Sequence, residues 1–173
     1  MIRKATINDI DAISSIYEHI HDMAESGKYS LGWIRGVYPT KKLAEEHLKV
    51  GDLFVCEHNG NIVGTAIINK LQLPEYADGN WNFQASPDSV MVLHTLAVDP
   101  YAANTGVGAE FLGFYEDYAR RHGCTELRID TQTRNMNARR FYPKFGFQEI
   151  GIVKCEFYGC GTVDLVLMEK HLR

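Results

Sequence analysis

Apolar positions along the chain recur in two rhythms, one of steps of three and four and one of short unbroken runs. Their alternation predicts a series of helices and strands. Residues 2–5 read as a short strand, and Thr6-Ile7-Asn8-Asp9 has the form of a capping box. Ile10, Ile13, Tyr17, Ile20 and Ala24 then follow at helical spacing, which predicts an amphipathic helix. A short helix is expected at about 41–49. Strands near 53–58 and 61–71 are joined by His58-Asn59-Gly60-Asn61, whose Asn-Gly pair favours a tight hairpin. Met91 to Val98 is apolar except for His94 and Thr95, as in a central strand buried on both faces. A helix at about 106–122 turns Val107, Phe111, Tyr115 and Tyr118 inward. A strand at about 126–131, a helix starting at Asn135, and strands near 150–158 and 162–169 complete the series. Two irregular stretches, 26–40 and 72–89, are rich in aromatics, Gly and Pro. With no internal repeat and no linker, the order predicts one α/β domain over residues 1–173.

Composition narrows the class. The chain is 45% hydrophobic and 23% charged, as in ordinary globular proteins. Its formal net charge of -4 argues against nucleic acid as a partner, because phosphate neutralisation needs a basic face. No apolar run approaches the roughly 20 residues of a membrane span, and the N-terminus has no signal-peptide stretch, so no membrane association and a cytoplasmic location are expected. Cys56, Cys124, Cys155 and Cys160 form no Cys-x-x-Cys pair and have no His pair at metal spacing beside them, so they read as reduced core residues and no metal is expected.

The first candidate chemistry is a glycine turn. After the apolar strand comes Asp99-Pro100-Tyr101-Ala102-Ala103-Asn104-Thr105-Gly106-Val107-Gly108, and then a helix. A helix start leaves backbone N–H groups without partners and carries the positive end of the macrodipole, so a phosphate suits it. Glycine there lets such a ligand approach without meeting a Cβ. The turn is not a P-loop, since no Gly-Lys-Ser/Thr follows. It is not a dinucleotide fingerprint either, because Phe111 occupies the third glycine position.

The second is Asn135-Met136-Asn137-Ala138-Arg139-Arg140-Phe141-Tyr142-Pro143-Lys144-Phe145-Gly146-Phe147. Asn135, Ala138 and Tyr142 share a helix face, with Phe141 and Phe145 on a neighbouring apolar stripe and Gly146 placed to end the helix. Asn135 also suits an N-cap, and Tyr142 a core tyrosine. Pro143 removes one hydrogen bond, so the last turn is expected to tighten or stop early.

Together, the strand, glycine turn, helix and Asn-x-x-Ala-x-x-x-Tyr-x-x-x-Gly-Phe segment resemble the GNAT superfamily of N-acetyltransferases. The resemblance implies a mixed central sheet of about six to seven strands flanked by helices, acetyl-CoA as acetyl donor, and a possible homodimer. It implies that Ala103, Asn104, Thr105, Gly106, Val107 and Gly108 cradle the pyrophosphate of coenzyme A, and that Leu96, Ala97 and Val98 splay from the next strand and pair with the pantetheine arm. Asn135, with Ala138 on the same face, would meet that arm, and Tyr142 would point at the sulfur. Ala103 departs from the pattern, which usually has Gln or Arg there.

Transfer to an amine needs a deprotonated amine, a stabilised oxyanion and a proton for the departing thiolate. Tyr142 suits the general acid, and the Leu96 N–H suits the polarising donor. His94, with an ordinary pKa of about 6.5, suits the base, as in relatives that acetylate arylalkylamines; Glu57 and Asp130 are further candidates, and a neutral core histidine is the plain alternative. Trp33, Tyr38, Tyr76 and Trp81 are positioned in the irregular stretches to line a pocket for a small-molecule or peptide amine. Arg139 or Arg140 could approach the cofactor's phosphates. An acyl-enzyme on Cys56 or Cys124 is the enzymatic rival, and a coenzyme-A-binding sensor or interaction module without catalysis is the rival of another class.

Overall fold

A computed structural model describes residues 1–157 and 159–173. Tyr158, the last residue of the predicted strand at 150–158, lies outside the described residues. Among these, seven strands form one mixed sheet: β1 (Ile2–Lys4), β2 (Leu53–His58), β3 (Asn61–Asn69), β4 (Val90–Val98), β5 (Glu126–Gln132), β6 (Gln148–Glu156) and β7 (Thr162–His171). Their order is β1-β2-β3-β4-β5-β7-β6. The β4–β5 pair is parallel, while β1–β2, β2–β3, β5–β7 and β6–β7 are antiparallel. The helices are α1 (Ile10–Glu25), α2 (Lys41–Val50), α3 (Val107–Arg121) and α4 (Met136–Phe141). The α/β class is the one the order of elements predicts, and the mixed sheet of seven strands is the one the resemblance implies.

Contacts divide the chain into two compact units. The first comprises Met1–Tyr29, Trp33–Ile68 and His94–Tyr115. Ile10, Ile13, Ile16, Tyr17 and Ile20 bury the inner stripe of α1, as the three-and-four spacing requires. The Asp9 carboxylate accepts from the Thr6 N–H at 2.7 Å, which is the acidic half of the predicted capping box. The same carboxylate takes a two-pronged contact from Arg3, at 2.8 and 2.9 Å. Thr40 caps α2 through Leu43 N–H, and left-handed Gly51 ends it. Asn59 and Gly60, with φ of 50° and 78°, form the β2–β3 hairpin turn. A Cβ on Gly64 of β3 would lie 2.8 Å from Val107 Cγ1, so glycine is what lets β3 meet α3.

The second unit comprises Ser30–Gly32, Asn69–Leu93 and Glu116–Arg173. Val90 to Leu93 of β4 pair with Glu126 to Ile129 of β5, and β5 pairs along its whole length with β7. Val90, Val92, Leu165 and Leu167 form one side of its core, on which Tyr76 and Trp81 pack. These two aromatics come from the stretch at 72–89, which contains 3-10 turns at Pro74–Asp78 and Pro87–Ser89 rather than being wholly irregular.

Candidate functional site

In the first unit, two features lie on consecutive pieces of chain. One is the second half of β4. Thr95 has φ of 48°, a left-handed conformation that is costly for a β-branched residue and persists only where its surroundings impose it. Burial changes at this point: Val90 to Leu93 are buried, whereas His94, Thr95 and Leu96 are half-buried and only Ala97 is buried again. The Tyr38 hydroxyl hydrogen-bonds the Thr95 hydroxyl, and Trp33 packs edge-on to Tyr38 with ring centroids 6.0 Å apart. The aromatic stretch at 26–40 is thus fastened to the strained residue of β4. The parallel ladder of β4 with β5 covers Leu93 and Ile129, and both strands continue past it.

The other feature is the glycine turn. The Asp99 carboxylate accepts from the Tyr101 N–H at 3.0 Å and starts a 3-10 turn over Pro100–Ala102. Ala103 to Gly106 are exposed, with Asn104 and Gly106 at φ of 62° and 88°. The Glu110 N–H bonds the Gly106 carbonyl at 3.0 Å, so the N–H groups of Val107, Gly108 and Ala109 precede the first hydrogen bond of α3. A Cβ on Gly106 would meet no protein atom within 4 Å, so glycine is required here by its φ rather than by crowding inside the protein. Open space before a helix N-terminus fits an anionic group such as a pyrophosphate. The acidic residue of that first turn, Glu110, is occupied elsewhere, accepting from or facing His58 Nε2 at 2.7 Å and Cys56 Sγ at 3.7 Å.

In the second unit, α4 is short and sharply defined. Asn135 Oδ1 accepts from the Ala138 N–H at 3.2 Å, so Asn135 is the N-cap and the helix proper starts at Met136. It stops at Phe141, and Tyr142–Phe145 continue as a 3-10 turn with Pro143 near its start, the tightening predicted for that proline. Gly146, at φ of 87°, ends the segment. Tyr142 is buried, edge-on to Phe147 with centroids 5.9 Å apart. Burial raises its phenol pKa well above the usual value, and the Asp130 carboxylate raises it further.

Asp130, on β5, is itself pushed up to about 6 by burial, although it accepts a hydrogen bond from the Tyr76 hydroxyl at 2.8 Å. Tyr76 is held in turn by Trp81, whose Nε1–H donates to its carbonyl at 2.7 Å. The Arg128 guanidinium lies 3.8 Å over the Trp81 ring. Gln72, Tyr76, Trp81, Gln84 and Arg128 line a pocket of about 440 Å³. Sequence alone singled out Tyr76, Trp81 and Asp130 without joining them, and it missed Arg128 and Thr95.

Other candidates are accounted for by their contacts. Glu57 is engaged by Arg3, at 3.1 and 2.9 Å. Arg139 makes a two-pronged pair with Glu149, at 2.8 and 2.9 Å. Burial raises the thiol pKa of both Cys56 and Cys124, the opposite of what activates a nucleophile. No helix of the described residues is long and apolar enough to cross a membrane.

A family model described as Acetyltransferase (GNAT) family matches residues 14–147. An uncharacterized N-acetyltransferase of Methanocaldococcus jannaschii is 27% identical over 159 residues, covering 88% of this chain and 62% of that protein. The chain thus spans less than two thirds of that relative's length. Among solved structures, a ribosomal-protein-alanine N-acetyltransferase of Brucella melitensis is similar at a TM-score of 0.70 and 22% identity, covering 99% of each chain. The protein yncA of Salmonella typhimurium, solved with its cofactor acetyl-CoA, is similar at a TM-score of 0.69 and 21% identity, covering 100% of this chain and 94% of that one. These two likenesses are likenesses of fold.

Proposed function

The chain belongs to the acetyltransferase (GNAT) family, and we propose that it transfers an acetyl group from acetyl-CoA directly to a primary amine. The observation that carries this reading is Tyr142, a buried phenol at the end of a capped helix whose pKa is held above its ordinary value. Such a phenol keeps its proton at any pH at which the enzyme works, as a general acid must until the leaving group takes it. Acetyl-CoA, when bound, supplies a thioester acetyl and leaves as a thiol.

The chain's own groups divide the remaining tasks. The N–H groups of Val107, Gly108 and Ala109, with the exposed backbone of Ala103 to Gly106, hold the pyrophosphate by hydrogen bonds and helix dipole. The absence of a polar side chain at Ala103 leaves these backbone contacts intact. Leu96, Ala97 and Val98 line the pantetheine arm, and the Leu96 N–H donates to the carbonyl oxygen as negative charge develops there. Asn135 keeps its capping bond through Oδ1 and offers its amide hydrogens to the arm, beside Ala138. Trp33, Tyr38 and Trp81 shape the acceptor's surroundings, and His94 removes the amine's proton.

A second reading of the base is favoured by a specific observation. Asp130, with its pKa near 6, is ionised at neutral pH yet basic enough to accept a proton, and the Tyr76 hydroxyl fixes its orientation. Steady-state release of free thiol from acetyl-CoA across a panel of primary amines tests the function. At least one amine is expected to accelerate release well above the rate without acceptor. Cofactor binding with no acceleration by any amine would sink the proposal in favour of a coenzyme A sensor.

A further inference from the structure

Strand β2 turns alternate residues to one face, and three of these meet α3. Phe54 packs on Phe114 with ring centroids 5.2 Å apart. Cys56 and His58, two and four residues on, both meet Glu110, which lies four residues before Phe114 and so on the same face of α3. One donor atom from each residue, the Cys56 sulfur, a His58 ring nitrogen and a Glu110 carboxylate oxygen, lies within 4.8 Å of the other two. Simple β alternation and helical spacing thus bring a soft sulfur, an imidazole nitrogen and a hard oxygen to one point.

We propose that Cys56, His58 and Glu110 bind one divalent transition-metal ion, with Zn²⁺ the best chemical match. Zinc takes thiolate at about 2.3 Å and imidazole or carboxylate at about 2.0 Å in tetrahedral geometry, which sets donor atoms roughly 3.3 to 3.6 Å apart. The sulfur-to-oxygen separation of 3.7 Å already suits that spacing. That oxygen is Oε2, whereas His58 Nε2 lies 2.7 Å from Oε1, as in a hydrogen bond, and this contact must open for one carboxylate oxygen to face both donors across an ion. Glu110 can supply that movement, since its side chain is 40% exposed. The Met1 amine also lies 3.6 Å from the Glu110 carboxylate and yields that contact to the ion. Three protein ligands leave a fourth position for water, and it faces solvent because His58 and Glu110 form the open side while Cys56 is fully buried.

The charge balance is simple. The ion displaces the proton of the Cys56 thiol, which leaves to solvent, and the His58 ring proton moves to Nδ1 so that the Nε2 lone pair is free. Because the thiol must lose its proton to bind, zinc affinity rises with pH. The sequence gives no hint of this site, because one ligand comes from 54 residues downstream and no metal spacing motif is present.

The test does not depend on acetyl transfer. Metal-stripped protein is titrated with Co²⁺, followed by absorbance, and the Co²⁺ is then displaced by Zn²⁺. One equivalent per chain is expected, with a thiolate-to-cobalt charge-transfer band that disappears in C56S. His58→Gln and Glu110→Gln, both on the exposed side, should each weaken Zn²⁺ binding about tenfold or more, with circular dichroism unchanged. C160S should keep the band. Absence of a thiolate band in the native chain, or native affinity in both H58Q and E110Q, would overturn the proposal, even if C56S fails to fold.

Discussion

Tyr142 and Asp130 are two acids whose pKa values rise for the same reason, removal from water, with opposite consequences. The phenol stays neutral and holds a proton; the carboxyl, near 6, stands at the edge of releasing one. Y142F is therefore expected to lower kcat by about 10²-fold or more in the thiol-release assay, while the protein stays folded, because the ring and its contact with Phe147 are kept. An unchanged kcat across pH would remove Tyr142 from the chemistry. The protonation of Asp130 is linked to stability. Its folded pKa of about 6 exceeds the ordinary value of 3.8, so the folded chain binds more protons between those values, and stability falls as pH rises through that window. Asp130→Asn should remove that loss and gain on the order of 2 kcal/mol relative to the native chain between pH 4 and 7, read from urea midpoints at both pH values. If Asp130 is the base, D130N also abolishes the acid limb of kcat/KM near pH 6. If His94 is the base, H94A instead lowers the rate most below about pH 8, and D130N leaves the limb in place.

At the level of elements, the helices and strands were legible because each is amphipathic or fully apolar at its own period. The predicted bounds shift by a residue or two, as with a β3 that ends at Asn69 and a β6 that begins at Gln148. The α4 segment was legible in detail, since cap, proline and terminal glycine act locally. Thr95 was not legible, because nothing about threonine signals a left-handed φ or the hydrogen bond its hydroxyl makes to Tyr38. The Tyr76–Asp130 bond was hidden too, because its partners lie 54 residues apart and only the folded sheet joins them. Asn135 has two readings that a pair of variants can separate. Asn135→Ala loses the bond to Ala138 N–H and should cost about 1 kcal/mol. Asn135→Asp keeps an acceptor for that bond but has no amide hydrogens. If Asn135 also holds the donor's arm, N135D should raise the KM for acetyl-CoA severalfold at near-native stability; a native KM in N135D would leave it a cap alone.

At the scale of the molecule, β4 and α3 each run from one compact unit into the other, the divisions falling at Leu93–His94 and Tyr115–Glu116. The net charge of -4 gives the chain no general attraction for an anionic donor, so under the proposed function affinity for acetyl-CoA rests on local donors such as the α3 N-terminus. That makes the whole fold a reporter. A ligand at 100 times its dissociation constant stabilises the native state by about 2.7 kcal/mol, which in a chain of 173 residues corresponds to a rise in Tm of roughly 5–10 °C. Acetyl-CoA should give that shift in differential scanning fluorimetry. In Gly106→Ala the shift at the same ligand concentration should shrink, because a Cβ is costly at φ of 88° and projects into the open space before the helix. The apo Tm of G106A, lower by the equivalent of about 1–2 kcal/mol, separates this effect from simple destabilisation. An enzyme and a sensor would shift alike, so the decision between them rests on whether an amine that releases thiol from the native chain fails to do so in Y142F while the acetyl-CoA shift persists. Persistence of the shift with loss of turnover assigns the turn to binding and the phenol to chemistry; loss of both together would mean that Tyr142 supports the fold of the donor site rather than the reaction.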